Sequence, residues 1–113
     1  MTNPSKQKGD RAELEAARLI ADLTGWQVRR KLGAGRADDT GDLHIAERPD
    51  LIVQVKHFRD VTRAVREARD GADAQAINAV SPFRFGMVRH PGGGWTCVAS
   101  PDAMAVWIRE ALL

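Results

Sequence analysis

Cysteine occurs once, at Cys97, which excludes an internal disulfide framework and any zinc site built on several cysteines. Long apolar runs are missing too: none approaches the ~20 residues that a membrane helix needs, so no membrane association is expected. The opening segment MTNPSKQKGD lacks the apolar stretch of a signal peptide. Net charge is small: 17 basic against 15 acidic residues gives +2, which does not by itself point to a nucleic-acid partner. No repeat, low-complexity stretch or linker divides the chain, and 113 residues suffice for one domain but not for two filled cores. These absences lead us to expect a soluble cytoplasmic protein, with residues 1–9 a flexible N-terminal segment and residues 10–113 a single domain.

The composition is that of a globular chain, 43% hydrophobic and 28% charged. Among the 17 basic residues 13 are arginine, whose planar fork of donors suits phosphate, although genomic bias produces the same excess. Arg29, Arg30, Lys31 and Arg36 fall in eight residues that contain no acid, which hints at a basic patch.

Helical spacing of Ala12, Ala16, Leu19, Ile20 and Leu23 predicts a helix from Asp10 to Leu23, stopped by Gly25. Trp26 to Leu32 reads as a strand leading into the exposed loop GAGRADDTG. Strands over Asp42–Ala46 and Leu51–His57 follow, joined by a turn at residues 47–50. A long amphipathic helix from Asp60 to Ala79 carries a small-residue stripe, Val61, Ala64, Val65, Ala68, Ala72, Ala76 and Ala79, and Ser81-Pro82 ends it. Phe83–Arg89 and Trp95–Ala99 form a hairpin across Pro91–Gly94, and Ser100 caps a last helix, with Pro101 in its first turn. The expected fold class is α/β, a mixed central sheet flanked by helices in the order α-β-β-β-α-β-β-α.

The segment LIVQVKHF is the most informative. Alternation puts Leu51, Val53 and Val55 on one apolar face, while Ile52, Gln54 and Lys56 point the other way. An amide beside an ammonium in a dry core costs several kcal/mol, so the pair needs a wet cleft, a partner or a ligand. An edge strand with a solvated polar face would satisfy it equally. If the preceding strand pairs with this one as a hairpin, Asp42, Gln54 and Lys56 converge, provided the connection has an odd residue count or a bulge. An acid, a neutral oxygen and a lysine suit metal-assisted phosphodiester hydrolysis: the oxygens hold a hard cation, and the lysine orients water or offsets developing charge.

Gly41-Asp42-Leu43 followed by Val53-Gln54-Val55-Lys56 resembles the core of the PD-(D/E)xK nuclease superfamily, with the Gln-x-Lys variant of Mrr-type restriction endonucleases. Lys8-Gly9, Glu13 and the Arg- and Gly-rich stretch from Arg29 to Gly41 are similar to archaeal-type Holliday junction resolvases and their phage and actinobacterial relatives. The likeness spans about residues 8 to 90 and implies a restriction-endonuclease-like fold for a single nuclease-like domain. It implies a catalytic set of Glu13, Asp42, Gln54 and Lys56. Asp42, Gln54, the Val55 carbonyl and Glu13 would hold Mg²⁺ or Mn²⁺. Gln54 stands where the family usually has Glu, which removes one negative charge from the metal site. Arg29, Arg30, Lys31, Arg36, His57 and Arg59 are the expected phosphate contacts. The implied partner is branched DNA, a four-way junction, met by a homodimer with two symmetric sites. A restriction-type endonuclease without junction preference and a DNA-binding module with a weakened site are the alternatives. Without the family, Glu13 reads as an exposed helix glutamate, and Asp38-Asp39 reads as a turn former. His44 could share the cleft of Asp42. His90 reads as turn chemistry, and Trp26, Trp95 and Trp107 as core residues.

Overall fold

The computed structural model describes residues 3–31 and 39–112. Its first helix, α1, spans Pro4–Thr24 and so takes in residues 4–9, six positions before the expected start. Pro4 presets the first turn, the Asn3 carbonyl accepts from the Gln7 amide, and Lys6 pairs with Asp10 one turn on. Gly25, at φ +77°, ends the helix, and its N–H reaches the Ala21 carbonyl. Ala12, Ala16, Ala17 and Ile20 form its buried face. Leu23 does not join them: it is 77% exposed, because it falls in the final turn, where nothing covers that side.

The strands form two sheets rather than the expected single one. β1 (Val28–Arg30) is shorter than the predicted Trp26–Leu32 and runs antiparallel to β2 (Leu43–Ile45). The second sheet has β3 (Ile52–Lys56), β4 (Arg84–Arg89) and β5 (Trp95–Val98) in that order, parallel between β3 and β4 and antiparallel between β4 and β5. Thus β2 and β3 are not a paired hairpin. Their partners lie outward, on β1 and β4, and they meet where the Asp42 amide donates to the Val53 carbonyl at 2.8 Å.

α2 (Val61–Ala79) crosses from β3 to its parallel neighbour β4. Asp60 caps it by accepting from the Arg63 amide, and Val80 closes it in a left-handed conformation. Its buried face is Ala64, Ala68, Ala72 and Ala76, with Gln75 among them, while Val61, Val65 and Ala79 are half-buried. Small residues let the helix lie close on the sheet. A Cβ on Gly86 would come within 2.7 Å of both the Cβ and the carbonyl oxygen of Ala68. The other face of the sheet, Val53, Val55 and Met87, packs with α1, Leu43 and Ile45 as the main core. α3 (Pro101–Leu112) starts from Ser100, whose hydroxyl accepts from the Ala103 amide. The sequence order of elements is as expected. Among the described residues, no helix is long and apolar enough to cross a membrane.

Candidate active site

Asp42 sits at the seam between the two sheets. Its amide bonds β3 through Val53, its carbonyl accepts from Lys31 of the segment after β1, and its carboxylate Oδ2 accepts from the Val55 amide at 2.7 Å. Gly41 makes this approach possible: at φ +115° it lies against Val53, where a Cβ would stand 3.2–3.4 Å from Ile52 and the Val53 backbone. Burial raises the Asp42 pKa to about 6 against the lowering effect of the Val55 bond; Asp39 raises it further, while Lys56 and Arg30 oppose.

Glu13 comes from the buried face of α1 rather than its surface. Its pKa is raised to about 7, first by burial and then by the charge of Asp42, with Arg30 opposing. Arg30 is the alternate residue of β1 that turns inward. It bonds Asp10 at 2.7 Å and approaches Glu13 Oε1 at 3.5 Å. Glu13 Oε2 is buried and has no hydrogen-bond partner among the described residues.

The polar side of β3 faces α2. Gln54 is buried, and its Oε1 accepts from Gln75 Nε2 of α2. Gly71 leaves the room this needs, since a Cβ there would lie 3.1 Å from Gln54 Cγ. Gln75 also donates to Asp39 Oδ2 at 3.2 Å, while Asp39 Oδ1 accepts from the Gly41 amide. Lys56 is half-buried, with its ammonium 5.7 Å from the Phe58 ring centroid.

Asp42 thus acts electrostatically on Glu13 and is itself acted on by Lys56, while Gln54 is tied to α2. The expected phosphate contacts divide. Arg29 is exposed and strand-paired with His44; both line a groove of about 490 Å³ with Trp26, Gln27 and Val28. His44 therefore looks into this groove. Arg30 is held by acids, and Lys31 donates to Thr40. Arg36 and Asp38 lie outside the described residues. Arg59 is exposed. His57 is held below its usual pKa by burial and by Lys8, Arg89 and Arg11, with Glu15 opposing.

Comparison with family models, curated proteins and solved structures returns no match. The site therefore rests on its own chemistry. Among the described residues no cluster of three or more His, Cys, Asp or Glu side chains forms a metal cage. Mg²⁺ does not require one: it is held by one or two carboxylates and keeps several waters. Two buried carboxylates with raised pKa values, Asp42 raising that of Glu13, and an oxygen of Glu13 with no partner among the described residues fit such a cation. Gln75 and the second role of Asp39 escaped the sequence reading. The available signal was spacing, because Gln75 is seven residues from Ala68 and so falls on the same buried face.

Proposed function

We propose that this chain is a divalent-metal-dependent DNA endonuclease, specifically a Holliday junction resolvase, acting inside the cell as a homodimer with a restriction-endonuclease-like fold. One observation carries the reading: Glu13 and Asp42, delivered by different elements, are buried close together with pKa values raised to about 7 and about 6. Folding gains nothing from two carboxylates that repel each other out of water, whereas a site for a cation does. The element order and the parallel β3–α2–β4 crossover support the fold assignment.

Glu13 and Asp42 would hold Mg²⁺ or Mn²⁺, with the Gln54 and Val55 oxygens completing the set. Bound there, the cation supplies acidity to the attacking water and offsets charge on the phosphate. Lys56 orients that water or neutralises the charge that builds on phosphorus. Arg30 stays paired with Asp10 and Glu13 and keeps the acids in place, while Arg29, Arg59 and His57 would meet phosphate. A DNA-binding module with a weakened site is the second reading, favoured by Gln54, whose carbonyl is already bonded to Gln75.

The test is cleavage of a labelled four-way junction beside a linear duplex, with Mg²⁺, Mn²⁺ or EDTA, by wild type, Asp42→Ala and Lys56→Ala. Paired nicks on the junction, lost in EDTA and in both variants while junction binding persists, are expected. Equal cutting of both substrates discards junction preference. Junction binding by folded wild type without any cutting favours the binding module.

A further inference from the structure

We infer that Gln75 is a positioning residue of this site: from α2 it holds the Gln54 carbonyl in one orientation and anchors the segment that delivers Asp42. The inference rests on the proposed function. It starts from a constraint on donors and acceptors. An ionised Asp39 carboxylate can only accept, so the group of Gln75 that faces it must be the NH₂. That same nitrogen also faces Gln54, and its second hydrogen therefore requires Gln54 to present oxygen rather than nitrogen. Asp39 thus sets the orientation of Gln75, and Gln75 sets that of Gln54.

The same contact works on Asp42. Asp39 Oδ1 accepts from the Gly41 amide, the Asp39 carbonyl accepts from Asn78 at 2.8 Å, and Thr40 accepts from Lys31. Gly41 then passes the chain into Asp42. Two side chains of one helix face, Gln75 and Asn78, therefore grip the approach to the acid, and one of them also grips the amide on β3. A glutamine buried on an otherwise alanine face, with its Oε1 without a partner among the described residues, costs stability that packing alone does not require. Its arrangement is that of a residue supporting ligands from behind, where loss of the support commonly costs 10–100-fold in metal affinity.

The test is Mg²⁺ and Mn²⁺ titration by calorimetry on the intact protein, alongside thermal melting and junction cleavage. Gln75→Leu is expected to weaken metal binding about tenfold or more and to raise the metal concentration for half-maximal cleavage equally. A second variant separates positioning from support of the fold. The pair D39N/Q75E exchanges donor and acceptor, so the tie between residues 39 and 75 is kept while Gln54 must turn its nitrogen inward. Its melting temperature is expected to match wild type while its metal affinity stays altered. Wild-type metal affinity in either folded variant would overturn the inference and leave the proposed function standing. Absence of both metal binding and cleavage in the wild type would overturn the two together.

Discussion

Glu13 shows how a single side chain can oppose the fold it belongs to. Its folded pKa of about 7 lies above the usual glutamate value of 4.5, and that of Asp42, about 6, lies above the usual aspartate value of 3.8. Groups raised in this sense add stability below their unfolded pKa values and lose it as pH climbs through the folded ones. Stability from this pair should therefore decline between about pH 4 and pH 7. Glu13→Gln removes the larger part. We expect it to be more stable than wild type at pH 8 by about 2 kcal/mol and to cleave no junction, measured by urea unfolding at pH 5 and pH 8. Equal stability at pH 8 would contradict the buried-carboxylate account. Sequence reading could single out Asp42, Gln54 and Lys56, because alternation along a strand is a strong local rule. Arg30 misled it: a run of basic residues reads as a phosphate grip, yet its acids come from α1, twenty positions earlier for Asp10. Leu23 misled it for the opposite reason, since helical phase is visible in a sequence and the end of the covering layer is not.

Between elements the decisive distance is that from α2 to the sheet. Gly86 against Ala68 fixes it, and a methyl at Gly86 meets backbone as well as side chain. Gly86→Ala should cost about 2–3 kcal/mol through overpacking, read as a lower urea midpoint with unchanged slope. Because Gly71 and Gln75 ride on the same helix, that variant should weaken metal binding too. The helices were largely legible, including Ser100 as a cap, since caps and small-residue stripes are local signals, although Asp60 proves to cap α2 rather than to begin it. The pairing of strands was not. A β2–β3 hairpin is the condition under which hydrophobic matching sets their register, but the connection closes on its own turn, Arg48 to Ile45 and Leu51 to Arg48. Each strand then finds its ladder partner elsewhere. Partner choice depends on segments far apart in the chain, which periodicity does not encode.

For the molecule as a whole, charge and protons govern encounter with ligands. Loading the site with a cation must displace whatever protons Glu13 and Asp42 hold. Affinity for Mg²⁺ should therefore rise from pH 6 to pH 8 and proton release should fall over the same range, checked by calorimetry in buffers of different ionisation enthalpy. Junction binding should weaken steeply with salt, with a log–log slope that becomes shallower when Arg29 is replaced. An affinity that does not change with salt would remove phosphate contact from the account. The seam at Asp42 has a further consequence. The Val55 amide proton points straight at the carboxylate that joins the two sheets, so its magnetic shielding follows the charge on that one group. A single ¹H–¹⁵N resonance should titrate with a midpoint near 6 in the free protein and at lower pH once Mg²⁺ is added. The backbone thus carries its own spectroscopic gauge of whether the site is protonated, ionised or filled.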